Sequence, residues 1–205
     1  LVASFDAAGN HRFSRIFGSS SDWDVGRGVA TGPAGAIAIT GEFQGGINFG
    51  GPQLSSTSGS TDMFVAKLDV NGNHLWSRRF GDGGGQSGWG VAIASSGDVV
   101  VSGYNTATID FGGQPLTSAG LTDIVVARLA SNDGQHAWSH QYGDSGWQDG
   151  PNLVNVDADG NVILSTYASS ANQATSDFGT GDVSGYFFLA KLDAGGVTQW
   201  VRAFD

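Results

Sequence analysis

The 205 residues suffice for one domain with a substantial core, and the absence of Cys excludes disulfides and thiolate metal sites. Nine Lys and Arg stand against 19 Asp and Glu, a formal charge of −10 without a basic run, which excludes nucleic acid and anionic membrane surfaces as partners. No apolar run approaches the length of a transmembrane helix, so membrane insertion is not expected.

Almost no stretch has helical periodicity, and 34 Gly without a collagen triplet imply many tight turns between Val, Ile, Phe and Trp runs that favour strands. An all-β fold is expected. In chain order the units are an outer hairpin over 1–18 and three longer units over 24–81, 86–143 and 148–205. Within such a unit "GVAIAS" ends at the turn Ser96-Gly97-Asp98 and "VVVSGY" follows. After a long polar loop comes "MFVAKLD" or "IVVARLA", then a turn such as Asp69-Val70-Asn71-Gly72, then "HLWSRRF". Gly, Asn and Asp close each hairpin because they tolerate positive φ, so a unit makes a four-stranded antiparallel meander.

The units repeat one another. Phe17, Phe80, Tyr142 and Phe204 are spaced by 63, 62 and 62 residues, and Ala3, Ala66, Ala127 and Ala190 keep nearly the same step, as do Gly26, Gly88 and Gly150. A fixed period of four-stranded meanders predicts the blades of a β-propeller, whereas a two-sheet sandwich gives no reason for the repeat. The chain holds about three and a half blades, fewer than the four to eight that usually close a ring. With Leu1 at its start and Met63 its only Met, it is expected to be a processed product or a piece of a longer propeller, with closure by a homo-oligomer as the second expectation.

The runs "TDMFVAKLDVNGNHLWSRRFGD", "GWGVAIASSGDVVVSGY" and "IDFGGQPLTSAGLTD" resemble the bacterial seven-bladed β-propeller (SBBP) repeat family over nearly the whole chain. The pattern A-(K/R)-L-D-x-x-G-x-x-x-W is similar to the tryptophan docking motif of quinoprotein propellers, in which the aromatic locks adjacent blades. This resemblance implies a propeller, often in a secreted or surface protein, and no defined activity. The sequence departs from the pattern at Ala130, where positions 69 and 193 are Asp; at Thr166, where 41 and 103 are Gly; and at Tyr186, where 62 and 123 are Asp. The acidic, Gly-rich, Cys-free composition also associates with bacterial export, so a secreted or cell-surface location is expected.

The six Trp divide into two sets. Trp76, Trp138 and Trp200 share one repeat position with Phe13 and are expected to pack between blades, with Phe80, Tyr142 and Phe204 on the same strand face. Arg15, Arg78, His140 and Arg202, between those aromatics, are expected to stack on rings or pair with the Asp62 and Asp123 series. Those Asp, with Asn48, Asp110 and Asp177, are expected to cap turns through backbone N–H groups.

Trp23, Trp89 and Trp147 fall in the loops after "RIFG", "RRFG" and "HQYG", outside strict register. In a meander all long connections lie at one end, so these loops share one face. An aromatic ring beside carboxylates and amides suits a sugar, the ring stacking on its C–H face while polar groups bind hydroxyls. The candidate ligand-binding residues are therefore Trp23 with Asp22 and Asp24, Trp89 with Gln86 and Asp82, and Trp147 with Asp144, Gln148 and Asp149. The competing reading has each Trp folding down to cover the top of a blade.

Catalysis is not expected. No nucleophile elbow, HExxH or phosphate loop is present, Glu42 is the only Glu, and His11, His74 and His136 share one repeat position beside a turn, with His140 on the following strand. "DADGN" at 157–161 lacks the distal Glu of a calcium loop and aligns with plain hairpin turns, so no metal or cofactor is assigned. The expected role is a non-catalytic binding or scaffolding module meeting a glycan or a protein. The alternatives are a polysaccharide hydrolase or lyase using loop Asp residues, and a purely structural spacer.

Overall fold

The computed structural model describes residues 1–19, 22–57, 59–145, 153–167 and 174–204. Strands β1 (Val2–Phe5) and β2 (His11–Arg15) form a hairpin. There follow β3 (Asp24–Thr31), β4 (Ile37–Phe43), the short pair β5 (Gly46–Ile47) and β6 (Leu54–Ser55), β7 (Asp62–Leu68) and β8 (His74–Phe80). The second unit comprises β9 (Gln86–Ile93), β10 (Val99–Asn105), the short pair β11 (Thr108–Ile109) and β12 (Leu116–Thr117), β13 (Asp123–Leu129) and β14 (His136–Tyr142). The third comprises β15 (Leu153–Val156), β16 (Val162–Tyr167), the pair β17 (Ala174–Asp177) and β18 (Asp182–Gly185), β19 (Phe187–Leu192) and β20 (Thr198–Phe204).

Three four-stranded antiparallel sheets result, ordered β3-β4-β7-β8, β9-β10-β13-β14 and β15-β16-β19-β20. Each is a meander whose long connection carries a separate two-stranded ribbon. The first strands are neighbours across sheets, β3 against β9 and β9 against β15. Meanders stacked face to face with their first strands adjacent are propeller blades, and the fold is all-β.

Each core lies between two blades. Along β7, Met63 and Val65 enter the core shared with the second sheet, while Phe64, Ala66 and Leu68 enter the one shared with the β1–β2 hairpin. Every residue of β7 and of β13 is buried, which is why "MFVAKL" and "IVVARL" read as continuous apolar runs rather than alternating ones.

The recurring motif joins each blade to the next. An added Cβ at Gly72, Gly134 or Gly196 would lie 2.6, 2.7 or 2.8 Å from the ring of Phe13, Trp76 or Trp138 on the preceding outer strand. These turn glycines have φ of +76°, +68° and +90°, so they supply both the turn and a flat seat for the ring. The indole N–H of Trp76 donates to Ser131 O at 3.1 Å, and that of Trp138 to Ala194 O at 3.0 Å. Arg78 reaches across likewise to Asp133 O, and His140 lies against Trp138, whereas Asp62 takes Arg79 as its ion-pair partner.

The Lys or Arg of the motif completes the joint. Lys67 is buried and donates to Gly97 O at 2.7 Å and to Ser131 O and Oγ at 2.9 Å, all in turns of the second blade. Desolvation lowers its pKa, and the Asp98 charge partly restores it. Arg128 repeats the arrangement, donating to Gly160 O and Ala194 O of the third blade. Lys191 instead pairs with Asp157 of its own sheet, whose carboxylate also holds the 157–161 turn together. Lys67→Met keeps the stem and removes the three bonds, so urea unfolding is expected to lose about 2 kcal/mol of stability. An equal loss in Lys191→Met would show that the bridge between blades is not the reason.

Candidate functional site

Among the described residues the long connections lie at one end of the blades, and the tight turns at 6–10, 69–73, 94–98, 130–135, 157–161 and 193–197 lie at the other. At the long-loop end Trp23 immediately precedes β3, its carbonyl accepting the N–H of Gln44 at 2.8 Å. Its side chain is 57% exposed, but its orientation is fixed by an Nε1 hydrogen bond to Glu42 Oε1 at 3.1 Å. Glu42, on β4, is buried and receives Arg27 Nη2 on the same oxygen at 2.6 Å.

Arg27 projects from β3, donates through Nε to Ser87 Oγ at 3.1 Å, and lays its guanidinium over the ring of Trp89 with Cζ 4.3 Å from the centroid. The result is a chain of indole, carboxylate, guanidinium and indole crossing from the first blade to the second. Burial raises the pKa of Glu42, but hydrogen bonds from Ser87, Arg27 and Trp23 outweigh it and hold the carboxyl below its usual range. Glu42 is therefore an anion whose charge Arg27 neutralises. Its chemistry is to orient, since the Trp23 ring stands in solvent on a rigid mount.

The other expected site residues are placed as follows. Trp89 lies within β9 rather than in the loop before it, half-buried, with Nε1 buried and without a hydrogen-bond partner among the described residues. Gln86 opens the same strand and is fully buried, its Nε2 donating to Asp82 Oδ1 at 2.8 Å and its Oε1 accepting from the Asp82 N–H at 3.2 Å. Asp82 also accepts from Gly84 N and Thr108 N, so the Asp82–Gln86 pair braces the loop. Asp22 is exposed beside Gly45, and its N–H donates to Ser19 Oγ at 2.9 Å. Asp24 accepts Ser19 N on Oδ2 at 2.7 Å, while its Oδ1 is buried without a partner among the described residues. Asp144 is partly buried near Asp123. Trp147, Gln148 and Asp149 lie outside the described residues.

Sequence reasoning passed over Arg27 and Glu42. The signal available was that Glu42 is the single Glu of the chain, and that Arg27 stands between Gly26 and Gly28 at the repeat position held by Trp89.

Beside the Trp23 mount, a cleft of about 190 Å³ opens between the β1–β2 hairpin and the first blade. Val2, Phe17, Val25, Arg27, Val29 and Ile39 are among its walls. Val29 is 66% exposed there, whereas Val91, its repeat counterpart on β9, is 8% exposed because the first blade covers it. Among the described residues no group of three His, Asp or Glu is placed to hold a metal ion, and no helix is long and apolar enough to cross a membrane.

No protein-family model matches the chain, and no curated protein matches it. Among solved structures it is similar to BamB from Moraxella catarrhalis, at 13% identity and a TM-score of 0.30. The match covers 87% of this chain and 65% of that one.

Proposed function

We propose that the chain is a non-catalytic binding and scaffolding module of a secreted or cell-surface β-propeller of the SBBP type, meeting a glycan or a protein through its long-loop face. The observation that carries this reading is the Trp23 indole, exposed yet pinned to a buried and charge-compensated Glu42. An aromatic face needed only for packing would be covered. One held open by a hydrogen bond loses little side-chain entropy when a ligand stacks on it. Trp89 and Arg27 form the supporting wall, and Asp22 and Asp24 are the nearest carboxylates in sequence for hydroxyl or amide recognition.

The test is a glycan array and a panel of peptides, followed by titration calorimetry on each hit. Trp23→Ala is expected to weaken binding roughly 10- to 100-fold with an unchanged melting temperature, the size of one stacked aromatic anchor. Binding that survives Trp23→Ala would remove this face from the reading, and bond cleavage of a bound polysaccharide would replace it with the enzyme alternative. The exposure of Val29 against the burial of Val91 also favours further strands over the cleft; in a longer propeller the same chain supplies them, and in this chain alone a second copy does. Light scattering over a range of concentrations is then expected to show a discrete oligomer that an exposed charge at this position, Val29→Glu, dissociates.

A further inference from the structure

The repeat allows one position to be compared across two blades. Asp62 and Asp123 open β7 and β13, are 0% and 1% exposed, and each accepts a loop N–H on Oδ2, from Thr57 at 3.0 Å and from Ala119 at 2.8 Å. In the first blade Arg79 pairs with Asp62 Oδ2, and the Ser60 hydroxyl donates to Oδ1 at 3.3 Å. In the second blade the counterpart of Arg79 is Gln141, which donates Nε2 to Asp123 Oδ2 at 2.8 Å, and the counterpart of Ser60 is Leu121, which has nothing to donate. Among the described residues Asp123 Oδ1 is consequently buried without a partner.

Directly opposite Asp123 on β10 stands Asn105, where the partner of Asp62 is Phe43. Asn105 is 0% exposed, and its Oδ1 is also buried without a partner among the described residues. Its Nδ2 donates to Ala107 O at 2.9 Å and to Leu116 O and Gln141 Oε1 at 3.3 Å, which fixes the amide orientation, since a flip would turn its oxygen towards three acceptors. Cross-strand partners project on the same face of a sheet. Two buried side chains, each with an acceptor that no described donor reaches, thus stand opposite each other.

Among the described residues the groups facing Asp123 are Asn105 from β10, Gln141 from β14, the Ser118 hydroxyl from the loop, and the Asp144 carboxylate beyond β14. Among the described residues Asp123 is in no ion pair, and the remaining residues contain no Lys, Arg or His.

We propose that Asp123 is a proton-operated latch: its Oδ1 takes a proton from solvent as the pH falls and donates it to Asn105 Oδ1, tying the 106–122 loop of the long-loop face to the sheet. One O–H···O bond satisfies both buried oxygens and removes the charge that the first blade neutralises with Arg79. The loop is tied because the same two side chains hold Ala107, Leu116 and Ala119. Burial, and secondarily the Asp144 charge, raise the carboxyl pKa against opposing hydrogen bonds from Ala119, Ser118 and Gln141. With a folded pKa above the unfolded one, the native state binds the proton more tightly. The stabilisation is complete below the ordinary Asp range near 3.9 and is lost as the pH rises through the raised folded value.

Asp123→Asn copies the latched state at every pH, because its Nδ2 donates to Asn105 Oδ1 while its Oδ1 keeps both present donors. Melting of wild type and variant from about pH 4 to about pH 8 is expected to show the variant higher by on the order of 3 °C at the alkaline end, converging at the acid end. Asp62→Asn, which breaks the Arg79 pair, is expected to melt lower than wild type at the alkaline end. Carbon-13 titration of the wild-type carboxyls should place the Asp123 midpoint above the ordinary Asp value of about 3.9, which tests the proposal even if a variant fails to fold. A variant difference independent of pH, or an Asp123 midpoint at or below that ordinary value, overturns the latch. Stabilisation of the wild type by added calcium or sodium that vanishes in Asp123→Asn overturns it in favour of a metal cation.

Discussion

Trp76→Ala is expected to lower the stability of the folded chain by about 3–5 kcal/mol, whereas Trp200→Ala, at the equivalent position of the last blade, costs under half as much. The two indoles share a sequence motif and differ in what covers them. Trp76 lies on Gly134 and donates to Ser131 O of the next blade, inside the core between the first two sheets. Trp200 is only half-buried, and among the described residues no turn glycine lies against its ring. Urea unfolding of the two variants, with m-values compared to confirm the same transition, checks the difference. Equal losses would mean that the tryptophan stabilises its own hairpin, and the account of blades locked through turn glycines would fail.

The second large effect is expected at Gly103. A Cβ there would sit 2.0 Å from Ser87 O and 2.8 Å from the Met63 side chain, where the β9–β10 register shifts between Ser102 and Gly103. Methionine can move, but a backbone carbonyl inside a ladder cannot, so the strand pair must separate. Gly103→Ala is expected to cost about 3 kcal/mol, near the upper end for overpacking. Gly83→Ala is the control, since nothing lies within 4 Å of an added Cβ there and its φ is not positive. It should be neutral or stabilising by a few tenths of a kcal/mol. Thermal melts of both report the contrast, and a Gly103→Ala protein as stable as Gly83→Ala would show that the bulge relaxes freely.

Most of the architecture was legible because the repeat prints each constraint several times. The glycine four residues before Trp76, Trp138 and Trp200, the Lys67 and Arg128 of the motif, and the largely apolar strands β7 and β13 recur, and each has one physical cause in the contact between blades. The candidate site was legible only in part, because its partnerships are not repeated. Arg27 has no charged counterpart at position 89, and Glu42 stands where the second blade has Tyr104. A pairing that occurs once leaves no periodic trace, and only the register of β3 with β4 places Arg27 near Glu42. Trp89 was assigned to a loop for the same reason, since "GGGQSG" reads as a connection until Gln86 and Ser87 pair with Asn105 and Tyr104. Asp62 and Asp123 look alike in sequence, and their different electrostatics come from residues 79 and 141, far along the chain.

The sharing of every core by two sheets has a thermodynamic consequence. No blade owns a hydrophobic interior, so the free energy of the fold resides in its junctions, and each sheet is stable only to the extent that its neighbours are present. Unfolding then resembles the melting of a short one-dimensional array with strong nearest-neighbour coupling. The central sheet, coupled on both sides, exchanges its amide protons slowest. The β1–β2 hairpin, joined to the rest through Phe13, Phe17 and Val2, opens first.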